Sequence, residues 1–70
     1  MGTFIPPAES ATSVYSNGIW DVEIAFKGGR IQPFQFELTR NAVMEFLRVN
    51  YGLIPEKIYP DYFEMVSYHD

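Results

Sequence analysis

Few side chains in this sequence can do covalent or proton-transfer chemistry. There is one histidine, His69, and there is no cysteine, which excludes thiolate nucleophiles, thiolate zinc sites and a disulfide framework. Ser67, His69 and Asp70 supply the residue types of a nucleophile, a base and an orienting acid. Groups so close along one chain do not converge into triad geometry. A general base must also be held within hydrogen-bond reach of its proton, and the end of the sequence offers no such frame. His69, Asp70 and Glu64 contain metal-ligating atoms without the spacing of a metal site. Gly28-Gly29-Arg30 has the glycines of a phosphate cradle, but it lacks the lysine-bearing spacing of a phosphate-binding loop and opens no helix. Asp21 and Glu37 form a carboxylate pair on paper, yet both fall on solvated positions of alternating segments. The sequence therefore predicts no catalytic residue, no metal ligand and no cofactor.

What the chain has in place of catalytic groups is carboxylates and tyrosines. The net charge is −4, and its placement is uneven. Asp21, Glu23 and Glu37 are balanced by Lys27, Arg30 and Arg40, as Glu45 is by Arg48. The excess lies late, where Glu56, Asp61, Glu64 and Asp70 face only Lys57. Such a surface repels phosphate and disfavours nucleic acid. Tyr59, Tyr62 and Tyr68 lie among these late acids, beside Pro60 and Asp61. Tyrosine combines a large contact area with a polar tip and is enriched in protein interfaces.

These groups need a frame. Seventy residues allow one domain, burying about 60% of its unfolded surface. With 47% hydrophobic and 17% aromatic residues, the composition is that of a globular chain. No apolar run reaches the roughly 18 residues of a membrane span. The start lacks the basic and apolar stretches of a secretory signal, and a soluble, cytoplasmic protein is expected. Residues 1–13, with Pro6-Pro7 and no periodicity, read as a flexible arm whose adherent part is Phe4 and Ile5. Residues 14–70 read as the domain.

Asn17-Gly18 signals a type I′ turn, because both positions need positive φ. It allows a short strand at 13–16. Trp20, Val22, Ile24 and Phe26 then alternate with Asp21, Glu23, Ala25 and Lys27, predicting a strand over 19–27. Phe34, Phe36 and Leu38 alternate in a second strand over 31–38. A two-residue Gly28-Gly29 loop would put the two apolar sets on opposite faces. Parity therefore predicts a three-residue loop, Gly28-Gly29-Arg30, with a glycine in the left-handed region, or a bulge nearby, and Ile24 opposite Phe34 and Val22 opposite Phe36. Pro33 lacks a ladder donor, so that strand should be an edge or carry that bulge. Thr39 is the expected N-cap and Gly52 the C-terminal stop of a helix over 40–51. Its apolar side (Ala42, Val43, Phe46, Leu47 and Val49, widened by Met44 and Tyr51) exceeds the stripe a single sheet face covers. Tyr62–Tyr68 alternates weakly and predicts a last strand over about 62–68. Its simplest place is antiparallel to the 19–27 strand; if 13–16 takes that slot, the last strand moves outward or is lost.

The fold class expected is thus α+β, a small antiparallel sheet of three to four strands packed on one helix. Its open face would present Asp21, Glu23, Ala25, Gln35, Glu37, Tyr62, Glu64 and Tyr68. With Tyr59 and Asp61, these carboxylates and tyrosines are the candidate partner-binding residues. RNA-reading sheets surround exposed aromatics with Lys and Arg; here the surround is acidic, and a protein partner with a basic or mixed surface is expected. In size, acidity and lack of catalytic groups the chain resembles small phage-encoded inhibitors of host machinery, anti-CRISPR proteins among them, in general character and in no motif. That likeness implies a blocking role in a host cytoplasm. The alternative is an assembly subunit or homo-oligomer that buries Met44, Val49 and Tyr51 between chains.

Overall fold

A computed structural model of the chain describes residues 8–67. Asn17 and Gly18 adopt φ of 53° and 80°, the pair of positive values a type I′ turn requires. They join β1 (Ala8–Ser16) to β2 (Ile19–Phe26), with Ser16 opposite Ile19. β3 (Ile31–Phe36) follows, then α1 (Arg40–Tyr51), β4 (Leu53–Tyr59) and β5 (Tyr62–Ser67). The strands form one five-stranded antiparallel sheet in the order β3-β2-β1-β5-β4. The α+β class holds, with five strands in place of three to four.

The helix matches its expected span. Thr39 is extended and its hydroxyl accepts from the Ala42 amide at 3.2 Å. Gly52 closes the other end with φ of 69°, and its amide donates to the Arg48 carbonyl at 3.0 Å. Glu45 and Arg48 pair on the outer side at 2.8 Å. Val43 and Leu47 are fully buried, while Met44, Phe46 and Tyr51 pack along the flanks. Phe46 and Tyr51 meet Phe34, Phe36 and Phe26 in an aromatic cluster at the β3 side. The wide apolar side is thus largely used within the chain, and of the residues expected between copies only Val49 is exposed.

Trp20, Val22, Ile24 and Phe26 all face the helix and are buried, as their alternation predicts. Their register differs from expectation by two residues. Val22 lies opposite Phe34 and Trp20 opposite Phe36, because the loop is Lys27-Gly28-Gly29 and not Gly28-Gly29-Arg30. Gly28 and Gly29 take φ of 97° and 90°, and the Phe26 amide donates to the Arg30 carbonyl at 2.8 Å. Both adjacent glycines supply the positive φ, so the turn centres on them. A shift of two keeps the parity, and Val22 and Phe36 share a face. Leu38 falls beyond the strand and is exposed. Since ladder bonds recur at every second residue, the Phe26–Arg30 bond directs the amide positions of Ile31, Pro33 and Gln35 away from β2.

Two segments differ more. Residues 8–13, expected in a flexible arm, are part of β1, the central strand; residues 1–7 lie outside the described residues. β1 takes the slot beside β2 and moves β5 outward. Its inward residues are small (Ala8, Ala11 and Ser13), between Trp20, Val22 and Ile24 on one side and Phe63 and Met65 on the other. β4 pairs with the outer side of β5 and buries only Leu53.

The Ser13 hydroxyl is fully buried and has no hydrogen-bond partner among the described residues. A buried hydroxyl left unpaired carries its full desolvation penalty. Ser13→Ala should therefore raise stability by about 1 kcal/mol, moving the melting temperature up by roughly 4–8 °C for a domain of this size. Thermal unfolding followed by circular dichroism checks this, and a drop in melting temperature would show that the hydroxyl is satisfied.

Candidate functional site

One helix covers one face of the sheet. Across the other face the registers align side chains in three rows perpendicular to the strands. The first is Ile31, Ala25, Ser10, Val66 and Ile54, nearly all apolar. The second is Pro33, Glu23, Thr12, Glu64 and Lys57, and the third Gln35, Asp21, Val14, Tyr62 and Tyr59. Ile31, Val14 and Tyr59 are about half exposed, at 57%, 48% and 53%. The face is therefore an acidic band flanked by an apolar row and an aromatic one.

The β4–β5 pairing puts Tyr59 there. A register shift between Pro55 and Lys57 inserts one residue, and an inserted residue switches which side the following side chains take. Leu53 faces the core, whereas Lys57 and Tyr59 emerge opposite Glu64 and Tyr62 on the open face. The Tyr59 and Tyr62 rings lie 6.2 Å apart at 34°.

Within the face, Gln35 donates to the Asp21 carboxylate at 2.8 Å across β2 and β3. The Tyr62 hydroxyl donates to Glu64 Oε2 two residues along β5. The Glu23 carboxylate has no hydrogen bond or ion pair among the described residues, and Lys57, though opposite Glu64, forms no ion pair with it. The hydrogen bond to Glu64 pushes the Tyr62 phenol above its usual range. Loss of water around the hydroxyl, the Glu64 charge and Tyr59 add to the shift.

The sign of that shift fixes a pH dependence. A phenol whose folded value is raised favours the folded state while it stays protonated, below the unfolded value, and loses that contribution as pH rises through the folded value. The contribution of Tyr62 should therefore be fully present at pH 7 and be lost as pH rises above about 10. In an alkaline titration read at 295 nm, with Tyr62→Phe subtracted, Tyr62 should ionise later than an unperturbed tyrosine. Glu64→Gln should bring it back; an unchanged curve would remove Glu64 as the cause.

Of the residues singled out by sequence, Asp21, Glu23, Tyr59, Tyr62 and Glu64 share this face. Ala25 and Gln35 join them, as expected. Asp61 sits in the turn at one end, its carbonyl accepting from the Tyr15 amide at 2.9 Å. Glu37 does not belong to the face. It lies past β3, in a groove at the sheet end with Tyr15, Trp20, Leu38 and Arg40. Tyr68 falls outside the described residues, as do His69 and Asp70. Thr12 and Lys57 are members that sequence reasoning missed, because β1 was assigned only from residue 13 and β4 not at all; Val14 was placed in the 13–16 strand without being assigned to this face.

Among the described residues no group of three or more His, Cys, Asp or Glu is placed to hold a metal ion. No helix there is long and apolar enough to cross a membrane. Compared with protein-family models, with curated proteins and with solved structures, the chain matches none.

Proposed function

We propose that the protein is a non-catalytic binding module that occupies and blocks the surface of a partner protein, and that the open sheet face makes the contact. One observation carries this reading: an entire face of a five-stranded sheet is left uncovered by the helix and bears three carboxylates, two tyrosines and exposed aliphatic side chains. Exposed apolar and aromatic side chains set beside charged groups that fix orientation are what a protein interface uses. The partner carries a basic or mixed surface, since opposite potentials steer encounter and fix orientation. Nucleic acid is disfavoured by the same carboxylates. A blocking role, in the manner of a phage-type inhibitor of host machinery, asks nothing more of the chain than this surface.

The test is capture of proteins from a candidate host lysate by the immobilised wild type and by Tyr62→Ala. An identified protein that is held by the wild type, released by salt and lost with the variant supports the reading. Equal capture by both defeats it. The assembly alternative separates by light scattering, because a strict monomer across micromolar concentrations excludes self-association.

A further inference from the structure

Resting on that reading, we infer that the open face takes a basic, amphipathic segment of the partner, with two arginine side chains about 10 Å apart seated on Glu23 and Glu64. Both glutamates pair with Thr12, one from each side. Two strand spacings of about 4.8 Å therefore separate them, with only a short neutral side chain between. The Glu23 carboxylate has no partner among the described residues, and Glu64 spends one oxygen on Tyr62. Each carboxylate retains acceptor capacity for an incoming cation.

The flanking rows specify the rest of the segment. Two residues along the strands, a rise of about 7 Å, lies the row holding Ile31, Val66 and Ile54, which calls for apolar side chains beside the cations. On the other flank the tilted Tyr59–Tyr62 pair offers ring faces. Planar guanidinium stacks on such rings and forks onto a carboxylate, whereas ammonium acts as a point charge. Arginine is thus preferred to lysine. A second copy of this chain does not fit, because face against face would oppose like carboxylates.

A helix places side chains seven residues apart at about 10.5 Å on one side, which matches the glutamate spacing. The probe is a 15-residue helical peptide with two arginines seven apart and leucines beside them, titrated into 15N-labelled protein. Amide shifts should centre on Thr12, Glu23, Tyr62 and Glu64. Glu23→Gln with Glu64→Gln should weaken binding at least tenfold, and lysine for arginine in the probe should weaken it severalfold. Equal binding by the double variant, equal binding of a peptide with its arginines on opposite sides, or shifts centred on α1 would each overturn the inference. A probe that fails while Tyr62→Ala still loses its protein partner removes the arginine pair and leaves the face. A probe that binds at these residues while partner capture is unchanged supports the cation seats and removes the blocking role.

Discussion

Phe63→Ala is expected to leave little cooperatively folded protein at 37 °C. Phe63 is among the largest side chains with no solvent exposure, and it stands on β5 between the central strand and the edge strand β4. Its ring lies 5.2 Å from that of Trp20, which in turn contacts Tyr15. Its direct sheet neighbours are Ser13, too small to fill the space, and Ile58, 48% exposed. Neither of these sheet neighbours can fill the hole. A phenylalanine truncated in a core costs about 3–5 kcal/mol. Small domains have total stabilities near the bottom of the usual range of about 5–15 kcal/mol. Urea unfolding monitored by circular dichroism should show the midpoint collapse toward zero denaturant. A loss below about 1 kcal/mol would mean that the sheet repacks, and that the core is not built around this ring.

The second large effect lies on the other face and should leave folding almost untouched. Glu23→Lys combined with Glu64→Lys reverses the acidic band without removing any core contact. Substitutions at exposed positions such as Glu23 usually stay within about 0.5 kcal/mol, while half-buried Glu64 also gives up the hydrogen bond from Tyr62. Placing Lys57 opposite a new lysine adds a cross-strand repulsion of about 0.2–1 kcal/mol. Partner capture should nevertheless weaken by roughly a hundredfold, because like charges set against each other in an interface cost several kcal/mol. Surface plasmon resonance on the captured protein, alongside a melting curve, separates the two effects. Unchanged affinity with an unchanged melt would move the contact to another surface.

The contrast between these variants follows from alternation that was legible in β2. Trp20, Val22, Ile24 and Phe26 against Asp21 and Glu23 define both faces without any tertiary information. Thr39, Gly52 and Asn17-Gly18 were legible for the same reason, since each satisfies a local backbone requirement. β1 was not. Its inward side chains are Ala8, Ala11 and Ser13, and small residues in a central strand leave no hydrophobic period, because their large neighbours supply the volume. β4 was hidden by the opposite circumstance: as an edge it buries only Leu53, so nothing selects for alternation along it. The register of β3 escaped because parity fixes a face and not a position, and only the left-handed backbone at Gly28 and Gly29 decides between loops of equal length. For the site, Asp21, Glu23, Tyr62 and Glu64 were readable from period two. Tyr59 reached the same face only through the extra residue between Pro55 and Lys57, which no pattern announces.

Pro33 has one further effect. Of the three outward amide positions on β3, it occupies the middle one and has no hydrogen to give. The outer rim of the sheet consequently offers Ile31 and Gln35 as donors with a gap between them, too broken a template for an incoming strand to zip along. The molecule is thereby protected from stacking edge to edge into fibrils.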